Sequence, residues 1–77
     1  MQSKTTTIVN QGNSVTQREL EVLKLIAFEY TTTEISQCLY ISKHTVDTHR
    51  KHLMQKLKVR KTAGMIRRGF ELKYLSV

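Results

Sequence analysis

Apolar residues recur three and four positions apart along most of the sequence after residue 14, and this spacing is typical of one face of an α-helix. The first such series is Leu20, Leu23, Ile26, Ala27 and Tyr30. The complete pattern predicts helices at about residues 17–29, 32–39, 43–57 and 63–72. We therefore expect an all-α fold, a compact four-helix domain.

Residues that favour helix starts precede each predicted helix. Thr16 is followed three positions later by Glu19, and this pair predicts a capping box in which each side chain satisfies an end N–H group of the other residue. Thr31 and Glu34 repeat the pattern. The expected caps of the four helices are Thr16, Thr31, Ser42 and Thr62.

The second and third predicted helices form a distinctive unit. A short helix, a turn at residues 40–42 and a longer helix are the pattern of a helix-turn-helix, whose second helix enters the DNA major groove. On a helical wheel, Val46, Leu53 and Leu57 fall on one stripe. The far side carries His44, Asp47, Thr48, Lys51, Gln55 and Lys58. A solvated amphipathic helix has a similar pattern, so periodicity alone does not establish DNA binding.

The last predicted helix has too many large apolar residues for all of them to be exposed to water. Its apolar positions are Met65, Ile66, Phe70 and either Leu72 or Tyr74. Some of these belong to the core, and others could form a contact between two copies of the chain. The expected dimer interface comprises Met65, Ile66, Gly69 and Phe70.

Charge divides the chain into two unequal parts. The net charge is +7, and residues 43–77 carry ten Lys and Arg against two acids, whereas residues 1–42 carry three against four. Such asymmetry favours a polyanionic partner, with nucleic acid first and an anionic membrane surface second. The alternative is a basic surface that only keeps the protein in solution.

Other features limit the functions to consider. Residues 1–14 are polar and are expected to form a flexible tail or linker, with one domain at 15–77. No stretch is apolar enough to cross a bilayer, and the single cysteine, Cys38, excludes an internal disulfide and fits the cytoplasm. Cys38 is expected to be a small, half-buried residue. His49 and His52 are three apart, but nothing completes a metal site. We expect no enzymatic activity, cofactor or small-molecule ligand.

From Val15 onward the chain resembles the LuxR-type (GerE-type) helix-turn-helix family. The resemblance rests on VTQRELEVLKLIA at 15–27, TTTEISQCLYIS at 31–42 and KHTVDTHRKHLMQKLKV at 43–59. It implies a four-helix domain that binds a two-fold related site in double-stranded DNA as a dimer and controls transcription. Many members of the family are output domains of response regulators.

The resemblance also implies which residues contact DNA. Base contacts fall on Asp47 and Lys51, one turn apart on the third helix, with Thr48 and His44 beside them. Asp47 stands where the family often has Lys or Arg; a carboxylate can accept from cytosine N4 but cannot hold a phosphate. Alternatively, Asp47 only pairs with Lys51 on the helix surface. The expected phosphate-contacting residues are Thr33, Lys43, Thr45, Arg50, Lys58, Arg60 and Lys61.

Two other functions fit parts of this pattern. The region 4 domain of an alternative sigma factor shares the helix-turn-helix, and RNA polymerase is then a partner. A protein-interaction module would pair through the fourth helix and bind DNA weakly. The basic third helix followed by a fourth helix favours sequence-specific DNA binding.

Overall fold

The computed structural model describes residues 14–76, and this part of the chain folds into four α-helices without a strand. They are α1 (Gln17–Ala27), α2 (Thr32–Leu39), α3 (Lys43–Leu57) and α4 (Thr62–Glu71). The all-α prediction is confirmed. The predicted tail, except for Ser14, lies outside the described residues.

The starts of α1, α2 and α3 follow the capping pattern of the sequence. In α1, the Glu19 N–H donates to Thr16 Oγ1 at 3.1 Å, and the Thr16 N–H donates to Glu19 Oε1 at 3.0 Å. Thr31 and Glu34 make the same reciprocal pair in α2. Ser42 Oγ accepts the Thr45 N–H at 3.0 Å. Three predicted caps are thus confirmed, and each satisfies N–H groups that a helix leaves without partners.

The expected cap of α4 was wrong by one residue. Thr62 is the first residue of the helix, and Lys61 occupies the cap position without a side-chain hydrogen bond to the helix. The Thr62 hydroxyl instead accepts from Arg50 Nη2 at 3.1 Å. The Thr62 hydroxyl was expected to accept a hydrogen bond from its own helix, but it accepts one from Arg50, twelve positions earlier in the chain.

The first helix is two residues shorter than expected. Beyond Ala27 the chain turns at Glu29, whose φ is 67°, and the Tyr30 N–H bonds back to the Leu25 carbonyl at 3.0 Å. This turn takes Tyr30 off the apolar stripe, where the sequence had placed it, and leaves it 41% exposed. Phe28 is 77% exposed. The prediction of Tyr30 as a core residue was wrong.

The core forms where α1, α2 and α4 pack around the inner stripe of α3. Helix α3 packs against all three of the others. Its position is fixed by the burial of its apolar stripe, and burying a leucine side chain stabilises a fold by roughly 1.5–3 kcal/mol. The buried apolar residues are Val22, Leu23, Ile26, Ile35, Val46, Leu53, Leu57, Met65 and Leu75.

The residues after α4 fold back onto the helix. Leu75 is 8% exposed and closes the core, whereas Leu72, one of the two predicted apolar positions, is 45% exposed. Gly69 lies under Leu75, and a Cβ at Gly69 would come within 2.7 Å of Leu75 Cδ1. Glycine therefore allows this close approach.

This packing changes the expected dimer interface. Met65 is completely buried inside the protomer, and Gly69 is buried as well. The Met65 side chain therefore cannot reach a second copy, and Leu75 covers Gly69. Of the four expected interface residues, Ile66 remains half-buried and Phe70 remains 41% exposed.

The expected burial of Cys38 was wrong. Cys38 is exposed rather than half-buried, because it lies beside the apolar stripe of α2 and not on it.

Candidate nucleic-acid interface

The turn between α2 and α3 positions the longer helix. Tyr40 adopts the left-handed conformation at the end of α2, and the Ile41 N–H then donates to the Ser36 carbonyl at 3.1 Å. Ile41 packs against the core. Ile35 of α2 and Val46 of α3 are fully buried. These contacts hold α2 and α3 in one rigid unit, the helix-turn-helix that the sequence predicted.

Helix α3 has two chemically different sides. Val46, Leu53 and Leu57 face inward, as predicted. On the opposite side, His44, Asp47 and Lys51 are exposed and Thr48 is half-buried. We call these four residues the base-contact face. The Thr48 hydroxyl donates to the His44 carbonyl at 3.1 Å, so towards a base it is left to accept a hydrogen bond or to present its methyl group.

Asp47 and Lys51 do not neutralise each other. No ion pair within residues 14–76 includes either side chain. Both are exposed and one turn apart on α3, so they point the same way from the helix. The alternative in which Asp47 merely pairs with Lys51 is therefore not the arrangement that the structure shows. One acceptor and one donor are both available to a ligand.

The lysines and arginines among the expected phosphate-contacting residues form no ion pair. In the part of the chain that the structure describes, the lysines and arginines that form ion pairs are Arg18, Lys56, Arg67 and Arg68. None belongs to the expected set. Five of that set's side chains are exposed at the ends of α3 and in the connection to α4, or on α2: Lys43, Lys58, Arg60, Lys61 and Thr33.

Two expected phosphate contacts have other partners in the structure. Arg50 is half-buried and donates to Thr62 at the junction of α3 and α4. The Thr45 hydroxyl lies 2.9 Å from Ser42 Oγ, and its N–H is bonded to the same oxygen. Both side chains are therefore oriented by the protein before any ligand binds.

The N-termini of α2 and α3 differ electrostatically. The Glu34 carboxylate accepts from the Thr31 N–H at 2.8 Å, so a negative charge already lies at the start of α2. The first turn of α3 contains no acid, and its first residue is Lys43. A helix N-terminus favours an anion through its free N–H groups and its dipole. The start of α3 is therefore the better phosphate site of the two.

The far end of α3 is fixed by an ion pair that sequence reasoning missed. Glu19 of α1 is 3% exposed, and Lys56 Nζ donates to its Oε1 at 2.7 Å and to the Ser14 carbonyl at 2.9 Å. His52 Nδ1 lies 3.5 Å from Glu19 Oε2. Ser14 and Lys56 are 42 positions apart in the sequence. The capping box identified Glu19, but no local pattern indicated its burial or its partner.

Burial raises the pKa of the Glu19 carboxyl, because a charge is disfavoured away from water. Hydrogen bonds from the Lys56 ammonium and the Thr16 N–H, together with the charge of Lys56, outweigh that effect. The pKa of Glu19 therefore lies below its ordinary value. The carboxylate stays charged and holds the start of α1 to the end of α3.

The remaining titratable side chains do not form a metal centre within residues 14–76. His49 is half-buried, and its buried Nδ1 has no hydrogen-bond partner. No helix in this part of the chain is both long and apolar enough to span a membrane.

The family model for luxR-family bacterial regulatory proteins (GerE) matches residues 13–68. Among relatives, the oxygen regulatory protein NreC of Staphylococcus carnosus is 38% identical over 61 residues, which are 79% of this chain and 28% of NreC. The uncharacterized response regulatory protein YgeK of Escherichia coli is 38% identical over 63 residues, 82% of this chain and 43% of YgeK. The chain thus spans less than half the length of these relatives.

A solved structure of the transcription factor GerE superposes with a TM-score of 0.76 at 38% identity, and the match covers 79% of this chain and 91% of GerE. The fold of the described residues is therefore the GerE fold. The chain belongs to the luxR family of bacterial regulatory proteins. It contains a DNA-binding transcription-regulator domain of the LuxR/GerE type, and this type of domain is not enzymatic.

Proposed function

We propose that this luxR-family domain binds a specific double-stranded DNA sequence, with α3 as the recognition helix in the major groove. The observation that carries the proposal is the outer side of α3, where Asp47 and Lys51 are exposed and form no ion pair with the described residues. Residues of a recognition helix that contact base edges need free donors and acceptors.

The cations around this face support backbone binding. Lys43 precedes the base-contact face, and Lys58, Arg60 and Lys61 follow α3. Lysine and arginine contacts to phosphate fix the register of a protein on DNA without selecting a sequence. We assign phosphate contacts to this set, with Arg50, Thr45 and Thr33 as further members.

We further propose that two copies bind a two-fold related site through contacts of α4. Ile66 and Phe70 are the apolar side chains of the expected interface that remain accessible there. The relatives YgeK and NreC carry the names of regulatory proteins and are longer than this chain. By analogy, this domain is the output module of a cytoplasmic transcription regulator, and RNA polymerase is a candidate partner.

Replacing Lys51 with Ala is expected to weaken binding to the selected duplex by roughly tenfold or more and to reduce sequence preference, because a good base contact contributes about 1–3 kcal/mol of discrimination. Fluorescence anisotropy of labelled duplexes measures both effects. The matched control is Lys24→Ala, which removes the same charge from the exposed side of α1.

The salt dependence of wild-type binding tests the backbone contacts in the same experiment. About five neutralised phosphates per protomer give a slope of log K against log salt of roughly −4 to −5. A much flatter slope, or equal effects of Lys51→Ala and Lys24→Ala, would show that another surface binds.

Replacing Asp47 with Asn is expected to change the preferred base. The carboxylate accepts from cytosine N4, whereas an asparagine amide favours adenine, to which it both donates and accepts. Selection of duplexes from a random pool with each protein should show cytosine giving way to adenine at one position of each half-site. Identical selected sequences would exclude Asp47 from base recognition.

A protein-interaction module is the second candidate, and a specific surface favours it. A groove of about 460 Å³ lies between the ends of α1 and α4 and is lined in part by Phe28, Phe70 and Tyr74. Equilibrium sedimentation with and without DNA separates the two functions. A tight dimer without salt-sensitive DNA affinity would support the interaction module.

A further inference from the structure

Tyr40 occupies an unusual place between α2 and α3. It is 94% exposed, more than any other large apolar or aromatic residue of the described chain. Its φ is 57° and its ψ is 44°, in the left-handed region that glycine adopts most readily. The fold therefore gains almost no burial from this side chain and carries a backbone conformation that a bulky residue disfavours.

Three other residues within 14–76 share the positive φ: Glu29, Lys58 and Lys73. Each follows the end of a helix, so a left-handed residue at a helix end is a common feature of this chain. Tyr40 is the aromatic member of this group. It also lies two residues before Ser42, the cap of α3.

The position of Tyr40 suggests a role in DNA binding. Lys43 is three residues further along, so the two Cα atoms are at most about 11 Å apart. The major groove is about 12 Å wide and is bordered by the two phosphate backbones. Because the base-contact face begins at His44, a side chain just before α3 lies near the border of the groove when that face meets the bases.

The chemistry of the side chain fits a phosphate and not a base edge. A tyrosine hydroxyl is among the groups that donate to phosphate oxygens in protein–DNA complexes. Ile41, the next residue, packs inward against the core, whereas the Tyr40 side chain is almost fully accessible. Lys43 provides a positive charge nearby, and the first turn of α3 has no acid to repel the phosphate.

We propose that Tyr40 is a phosphate-contacting residue, whose phenol hydroxyl donates to the DNA backbone next to the N-terminus of α3. The proposal rests on the proposed function, since it requires α3 to lie in the major groove. Tyr40 is not among the expected phosphate-contacting residues, so the proposal adds a residue to the interface. It also accounts for the exposure of the aromatic ring. The contact positions the domain on DNA without selecting its sequence.

The experiment is a double-mutant cycle between Tyr40→Phe and duplexes in which a single phosphate of the half-site is replaced by a neutral methylphosphonate. Tyr40→Phe removes only the hydroxyl and is expected to lower affinity roughly five- to tenfold, equally on selected and unrelated duplexes. At one phosphate the two losses should not add, because both remove the same contact. Tyr30→Phe, at a tyrosine beyond α1, is the control and should bind as wild type.

A second variant separates DNA contact from folding. Tyr40→Gly should raise the melting temperature by about 3–6 °C, because glycine accepts the left-handed conformation, and should lose affinity at least as much as Tyr40→Phe. Additive losses at every phosphate, or unchanged affinity of Tyr40→Phe, would overturn the proposal while wild-type binding still supports the proposed function. If Tyr40 instead serves a protein partner such as RNA polymerase, Tyr40→Phe binds DNA normally. Absence of salt-sensitive wild-type binding would overturn both.

Discussion

The Leu53→Ala variant is expected to lose about 3 kcal/mol of its free energy of unfolding, within the range of roughly 2–5 kcal/mol for buried leucines. Leu53 is completely buried in the middle of α3. The change removes apolar contacts and leaves a cavity that rigid helices on both sides cannot close. A domain of this size has a total stability of only about 3–9 kcal/mol, so the substitution should remove between about a third and all of it.

Urea denaturation followed by circular dichroism at 222 nm measures the effect, with Leu72→Ala as the matched control. Leu72 is 45% exposed, so the same substitution there should cost less than about 1 kcal/mol. Equal losses in the two variants would contradict the described core. DNA binding should fall in proportion to the unfolded fraction of Leu53→Ala, whereas Lys51→Ala should lose affinity and remain folded.

The contrast between these variants reflects two kinds of information in the sequence. Leu53 and Lys51 are two positions apart on one helix, and their opposite exposure follows from the 3.6-residue period alone. Periodicity therefore predicted both the buried stripe and the exposed side of α3. Local capping chemistry predicted the starts of α1, α2 and α3. In each case the capping residue and its partner lie within one helical turn, as Thr16 and Glu19 do.

Predictions failed where a distant residue decides the outcome. Thr62 was expected to cap α4, but Arg50 binds its hydroxyl. Met65 was assigned to a dimer interface because the sequence does not show which apolar residues of α4 the other helices cover. Leu75 was not assigned to the core, since it follows α4 and reaches the core only because the chain folds back over Gly69.

The candidate DNA contacts came from a different source. Burial and periodicity establish which residues of α3 are accessible, but they do not distinguish a DNA-binding face from any solvated face. The resemblance to the LuxR-type family supplied that distinction, and the family match supports it for the domain. Neither periodicity nor the family resemblance identified Tyr40 as a candidate DNA contact. It lies outside the helix, and its exposure is evident only in three dimensions.

Loss of the Lys56 ammonium is the second large effect that we expect. Lys56→Met should lower the free energy of unfolding by about 2–3 kcal/mol, somewhat less than the roughly 3–5 kcal/mol typical of a broken buried ion pair. The smaller figure follows from the remaining Thr16 N–H, which still donates to Glu19 at 3.0 Å. The same change releases the Ser14 carbonyl from the end of α3.

The contribution of Glu19 to the pH dependence of stability should also become smaller. In the wild type the pKa of Glu19 is depressed, so its stabilising contribution is complete above its ordinary pKa of 4.5 and is lost as the pH falls through the lower folded-state pKa. Without Lys56, its hydrogen bond and its charge no longer lower the pKa of Glu19, whereas burial still raises it, so the pKa should lie above its wild-type value. The variant should then lose less stability than the wild type as the pH falls below the ordinary pKa of 4.5.

Urea titrations of wild type and Lys56→Met between pH 3 and 7 measure this difference. They are best repeated in a His52→Gln background, because His52 Nδ1 lies 3.5 Å from Glu19 Oε2 and is the other basic group beside this carboxylate. Parallel pH profiles in that background would show that the Lys56–Glu19 contact does not control the charge of the carboxylate. A variant profile that approaches the wild-type profile as the pH falls would assign the effect to this pair and to its connection between α1 and α3. The double variant Glu19→Gln, Lys56→Met should then keep only the pH dependence of other groups, such as Glu71, whose pKa the arginines Arg68 and Arg67 lower.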